Sequence, residues 1–234
     1  KCYFAGTFDG NGHTVYNMNI NYVDKEKVIY ASKSVYLGFF GWAGFRSIIR
    51  NVNFANAQIY YSKLPLDAEY YTEEQYTYPQ QFARLGTIAG SAGGLVEKCS
   101  CEASFQLISG MAGGIVGEGK NISECTFNGT LRGLDSHHIV DLYGIAGEAE
   151  TVVDCVNRAN LIFSGRGFGA GIVGSASNVW RCQNYGNMLL KESTYLIMYK
   201  IVRKKHHLAG GFSGIARHVE NGISSCINYG NIRT

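Results

Sequence analysis

Proline is almost absent, with 2 residues in a chain of 234, while glycine reaches 30. Disordered linkers gain both residues and lose aromatics. With 16 Tyr and 12 Phe, the composition excludes a disordered chain and fits regular β structure interrupted by many tight turns. Charge is also scarce: Asp, Glu, Lys and Arg make up 17% of the residues, which is low for a compact globule with a large solvated surface. The formal net charge is +3 and no basic stripe runs the length of the chain. The electrostatic footprint of a nucleic-acid binder is therefore missing. No segment holds the roughly 18 consecutive apolar residues of a membrane-spanning helix, and no signal peptide opens the chain at Lys1. Both ends fall inside patterned segments, so the expectation is a piece of a longer protein, and the missing leader says little about compartment.

What is present is a repeat. "LGFFG" ends at Gly41, "GTIAG" at Gly90, "GGIVG" at Gly117, "YGIAG" at Gly147, "AGIVG" at Gly174 and "GGFSG" at Gly214. Each precedes a second apolar stretch: "IIRNVNF", "LVEKCSC", "NISECTF", "TVVDCVN", "NVWRCQN" and "GISSCIN". Most units close on a third short element such as "GTL", "ANL", "GNM" or "GNI". Gly90, Gly117, Gly147 and Gly174 lie 27, 30 and 27 residues apart. Three short strands per unit cannot bury their own apolar face, but stacked units can. A propeller blade needs about 40–45 residues, so the short periods favour a solenoid with one coil per repeat. The expected fold is all-β: a single domain spanning 1–234, a right-handed parallel β-helix of six to seven coils.

The Gly-bounded pentapeptides, each followed by an apolar strand with Asn or Cys and then Gly-x-Ile, resemble the GLUG-motif repeats of bacterial cell-surface proteins. "FAGTFDGNGHTVYNMNI" is similar to the segment that opens such arrays. The resemblance covers nearly the whole chain apart from two insertions. It implies an exported or surface-anchored protein, often adhesive, and is weak evidence for any activity.

Within this frame "DGNG", around Asp9, is a turn at a corner of the first coil, because Asp-Gly and Asn-Gly steps tolerate positive φ. A phosphate loop would need a helix after the glycines, and a calcium loop several spaced carboxylates; neither follows here. Cys99, Cys125, Cys155, Cys182 and Cys226 hold one repeat position, and Val52 holds it earlier. A site that accepts Val or Cys is small and buried, so these read as a ladder of core thiols. Disulfides between stacked neighbours are the alternative, although seven cysteines cannot all pair within the chain. Cys99 and Cys101 lack the second pair of a zinc site. Asn157, Asn184 and Asn228 follow the aligned Cys by two residues and suit an amide ladder, with Cys101 and Phe127 replacing Asn in two units. His137–His138 and His206–His207 are adjacent pairs, which point to opposite faces of a strand and seldom share an ion. No metal or other cofactor is expected.

Five insertions, roughly Asn21–Tyr36, Tyr60–Arg84, Leu131–Leu142, Ile162–Gly169 and Leu189–Leu208, fall at one point of the repeat and therefore on one corner. Function in solenoids lives on such loops and on exposed faces. The insertion near 60–84 carries Tyr61, Tyr70, Tyr71, Tyr76 and Tyr78. The one near 189–208 carries Tyr199, Arg203, Lys204 and Lys205. Tyrosine suits sugar stacking and protein contacts, and a basic run suits anionic glycan or an acidic surface; these nine residues are the candidate ligand contacts.

A lyase or glycoside hydrolase of the β-helix type is the competing reading. It needs paired carboxylates or a base with charge neutralisation. The 6 Asp and 12 Glu look scattered, and Glu97, Glu124 and Asp154 give way to Arg181 and Ser225 in sister units. An ice-binding face would need regular Thr arrays, which are absent. The sequence thus points to a non-catalytic extracellular or cell-surface stalk or adhesive scaffold. Its expected partner is a host or bacterial glycan or a surface protein, and not nucleic acid.

Overall fold

The computed structural model describes residues 3–24, 34–63, 83–134, 139–165, 167–191 and 212–233. The described residues contain strands and turns and no helix. Strands run from 2 to 11 residues, and left-handed corners end them at one point in each unit. Three parallel sheets result. The first stacks Thr7–Asp9, Ile48–Arg50, Ala89–Glu97, Val116–Ser123, Ala146–Val153, Val173–Trp180 and Ala216–Ser224 in chain order. The second stacks Thr14–Tyr16, Asn53–Lys63, Ser100–Leu107, Thr126–Gly133, Val156–Asn157, Gln183–Asn184 and Ile227–Asn228. The third contains Val35–Leu37, Ala83–Leu85, Gly110–Gly113, Val140–Tyr143, Gly169–Ala170 and Phe212–Ser213. The chain passes through one strand of each sheet per turn and returns one rung further on. This is the parallel β-helix expected from the repeat.

Inward side chains stack in rows. Ile49, Val96, Ile122, Val152 and Val179 are in register along the first sheet and buried. Ile88, Ile115, Ile145 and Ile172 form a second buried row, each N–H donating to the carbonyl of the next isoleucine or, at Ile172, to that of Ile215. Burying each such side chain contributes about 1.5–3 kcal/mol. Without these rows no single coil would hold its shape.

One corner has the same backbone in every unit. Asn51, Lys98, Glu124, Asp154, Arg181 and Ser225 all have φ between 51° and 54°. The next residue is Val52 or one of the aligned cysteines. Cys99, Cys125, Cys155, Cys182 and Cys226 donate their thiols to the carbonyl two residues back, at 3.1–3.3 Å. Cysteine therefore fills a small core site and also closes the corner. The register shows that Glu97 is not part of the outward corner row, whose member in that unit is Lys98, one residue later.

The cysteines are free thiols among the described residues. In-register strands lie about 4.8 Å apart, wider than the roughly 3.8 Å between the β-carbons of a disulfide. Donation toward the next thiol of the ladder, which favours the protonated form, together with burial raises Cys99 and Cys125 well above the ordinary thiol range. Burial does the same to Cys101 and Cys155, so these four thiols are chemically quiet.

The last repeat corrects the alignment drawn from glycine spacing. Val173 pairs with Ala216, and Ser175 with His218. The counterpart of "YGIAG" is thus "SGIAR", ending at Arg217, and not "GGFSG" ending at Gly214. The Gly-Ile step, whose isoleucine packs on the core, sets the register; the terminal glycine does not.

Every insertion separates a strand of the second sheet from one of the third: Asn19–Asp24 from Val35–Leu37, Asn53–Lys63 from Ala83–Leu85, Thr126–Gly133 from Val140–Tyr143, Asn160–Phe163 from Gly169–Ala170, and Met188–Leu190 from Phe212–Ser213. They leave and re-enter the coil at one corner, as the repeat implied, and regular strand runs further into each than the sequence suggested.

Candidate ligand-binding groove

The outer faces of the third and first sheets meet at an angle. Glycine sets how closely. A β-carbon on Gly174 would lie 2.5 Å from the Tyr143 ring, and one on Gly117 2.8–2.9 Å from the Arg84–Leu85 backbone. These positions must be bare for the two sheets to approach. The inward row of the third sheet is Leu85, Ala112 and Leu142, so the alternate residues Arg84, Met111 and Asp141 face outward. Tyr143, Met111 and Ala170 form a small buried cluster apart from the main core. Between Tyr36 of the third sheet and successive rungs of the first sheet lies a groove.

At its amino-terminal end the groove opens into a hollow of about 450 Å³ whose walls include Tyr36, Trp42, Phe45, Glu118, Lys120 and Glu150. Tyr36 and Trp42 are near-parallel, 6.3 Å apart with a 22° interplanar angle, and Tyr3 packs on Trp42 at 5.4 Å. Trp42 is 37% exposed and Phe45 84% exposed. In-register neighbours are small: Ser91 takes the place of Trp42 one rung on, and Ala92 that of Ala43. The aromatic rings therefore rise at the end of a floor of Ser91, Ala92, Gly93 and Gly119.

Polar groups border the rings. Arg84 Nε lies 2.8 Å from Glu118 Oε2, with its guanidinium 6.0 Å from the Tyr36 ring centre. Lys120 Nζ lies 3.6 Å from Glu150 Oε2. Glu118 and Glu148 are directly paired on adjacent strands, so carboxylates that looked scattered in the sequence do come together here.

Further along, burial pushes the Asp141 carboxyl up to about 6, against a hydrogen bond from the Phe168 N–H at 2.9 Å and the pull of Arg217; Glu148 adds a smaller push in the same direction. Arg217 stacks on Phe168 at 3.9 Å and shares a hydrogen bond with Tyr143. Burial and the charge of Asp141 raise the Tyr143 phenol.

Of the nine ligand contacts expected from the sequence, the structure corrects one. Tyr61 is 0% exposed, ends the inward series Ala57, Ile59, Tyr61 of its strand, and stacks on Tyr22 at 6.1 Å. It is a core residue and presents no face to a ligand. Tyr70, Tyr71, Tyr76, Tyr78, Tyr199, Arg203, Lys204 and Lys205 lie outside the described residues, as do both histidine pairs. The structure adds Tyr36, Trp42 and Phe45. The signal for Trp42 and Phe45 was in "LGFFGWAGF", where Trp42 stands at the position that later units fill with Ser91, Glu118, Glu148, Ser175 and His218. A second outward aromatic column stands on the late coils, with Arg158 over Tyr185 at 4.6 Å and Tyr185 on Tyr229 at 4.7 Å.

The opening "DGNG" is a corner, as read. Asn11 has φ 48° and Gly12 φ 77°. Asp9 accepts from the Asn11 N–H, Asn51 and Arg50, and these bonds hold its carboxyl below the ordinary range. Among the described residues, no cluster of His, Cys, Asp and Glu is arranged to hold a metal ion, and no helix is long and apolar enough to cross a membrane. No family model, curated protein or solved structure matches the chain.

Proposed function

We propose that this chain is part of a non-catalytic extracellular or cell-surface repeat protein, a stiff β-helical scaffold that holds glycan. The observation that carries the reading is the exposed Trp42 and Phe45 beside the half-buried Tyr36, in a hollow with ion-paired polar groups and a next rung of small residues, Ser91, Ala92 and Gly93. A ring with an open face matches the apolar face of a sugar, and nearby carboxylates accept its hydroxyls. The insertions support the reading from the other side, since they re-enter the coil at the third sheet, which forms one wall of the groove. The resemblance to GLUG-motif repeats favours a surface location and an adhesive role.

One observation favours a second reading, a polysaccharide lyase or glycoside hydrolase. Asp141 is a half-buried carboxyl titrating near 6 with Glu148 in electrostatic reach, and carboxyls so shifted serve as general acids. Against this, Asp141 is committed to the Phe168 N–H. Affinity electrophoresis through a panel of polysaccharides, with reducing ends and unsaturated products assayed in the same lanes, separates the two. Retardation without new ends is expected; new ends that disappear in Asp141→Asn would replace the scaffold reading with the enzymatic one.

A further inference from the structure

The groove also discriminates by charge. We infer that it takes an uncharged linear glycan lying along the solenoid axis and rejects uronic-acid and sulfated chains; this rests on the glycan reading above. Its lining spans four successive rungs. Trp42 is in register with Ser91, Ser91 with Glu118 and Glu118 with Glu148, one residue pair from Glu150 on the same strand. Rungs about 4.8 Å apart make the site an elongated trough, open along the axis and suited to a chain.

Both cations at the hollow are already engaged, Arg84 with Glu118 and Lys120 with Glu150. Glu148 adds a further carboxylate on the same outer row. The local field is therefore repulsive to an anionic polymer, and binding one would require breaking an ion pair. A neutral sugar meets none of that cost. Its hydroxyls donate to the Glu118 and Glu150 carboxylates, while its apolar face covers Trp42 or Phe45. The basic run Arg203–Lys205, which the sequence suggested for anionic glycan, lies outside the described residues.

The test is affinity electrophoresis at low salt, with galactomannan, mixed-linkage β-glucan and xylan as neutral probes and polygalacturonate and heparin as anionic ones. The proteins are the parent chain, Trp42→Ala, Phe45→Ala and the double variant Glu118→Gln/Glu150→Gln, each checked for an unchanged far-ultraviolet spectrum and melting temperature. Expected is retardation of the parent by at least one neutral polymer and by neither anionic one, with a tenfold or greater loss of affinity in Trp42→Ala or Phe45→Ala. The double variant frees Arg84 and Lys120 and is expected to gain retardation by polygalacturonate.

Retention of the parent on an anionic polymer, lost in Trp42→Ala, would overturn the charge selectivity while leaving glycan binding in place. A double variant that gains nothing would also count against it. Neutral retention that survives both aromatic substitutions would move the site out of the groove. No retention on any polymer would remove the glycan reading itself.

Discussion

The early and late coils solve the same corner differently. Two residues after the aligned Val or Cys, the second sheet carries Phe54, Cys101 and Phe127 in the early coils and Asn157, Asn184 and Asn228 in the last three, all in register. Where the residue is apolar, the strand runs on unbroken through Asn53–Lys63, Ser100–Leu107 and Thr126–Gly133. Where it is Asn, the strand breaks in two, as Val156–Asn157 and Asn160–Phe163 show. The cause is local. Asn157 Oδ1 accepts the Ala159 N–H at 3.0 Å and Nδ2 donates to the Ala159 carbonyl at 3.3 Å, so the side chain takes over backbone groups two residues on. The same amide donates to Asn184 Oδ1 at 2.7 Å, and Asn184 to Asn228 Oδ1 at 2.7 Å.

Opposite this position sits a matching space. A β-carbon on Gly114 would strike Phe127, and β-carbons on Gly144 and Gly171 would strike Asn157 and Asn184. The glycine of each Gly-Ile step thus admits either a ring or an amide. The early coils use aromatic bulk inside and, at Trp42 and Phe45, outside. The late coils use a polar spine. On the reading proposed here, binding lies toward the early coils and the late ones stiffen the rod.

Four substitutions sharpen or break this comparison. The largest effect is expected from Phe127→Asn, which removes a buried ring and places an amide in a continuous strand beside Phe105. A loss of about 3–5 kcal/mol follows from the ring alone, read as denaturant midpoint. A near-neutral result would show that the strand can break there as it does at Asn157. Next is Asn184→Ala, which strips Asn157 and Asn228 of their partner and leaves the Gly186 backbone without the side chain that serves it. The expected cost is about 2–4 kcal/mol, and loss of protection at the Gly186 amide in hydrogen exchange would locate it.

Asp141→Asn should stabilise. Its folded pKa, about 6, lies above the ordinary 3.8. The acid form favours folding fully below pH 4, and that advantage is lost as pH rises through 6. Removing the charge should therefore raise stability at pH 7–8 by on the order of 2 kcal/mol. The difference from the parent should vanish near pH 4 in thermal melts across that range. Smallest is Cys155→Val, since Val52 already fills this position in an early coil; the loss should stay below about 1 kcal/mol, and a larger one would mean that the thiol bond to the Val153 carbonyl matters more than packing.

The repeat, the cysteine row and the asparagine row were legible because each recurs at fixed spacing and each has one physical solution, burial or an axial amide bond. The position of the insertions was legible for the same reason. The groove was not. It arises where the third sheet folds across glycines of the first, and residues far apart in the chain, such as Tyr36 and Lys120, face each other only after coiling. Tyr61 misled because it opens a tyrosine-rich segment, yet strand alternation carries Ile59 and Tyr61 inward together. Arg217 misled because a glycine three residues earlier imitates the motif.

The most direct measurement uses the indole itself. The chain has two tryptophans, so Trp180→Phe leaves Trp42 as the sole reporter. Titrating that variant with oligosaccharides from the retarding polymer should give a saturable blue shift and protection from acrylamide quenching, with the midpoint matching the affinity seen in gels. Saturable retardation with no change at Trp42 would contradict the claim that this groove holds the glycan.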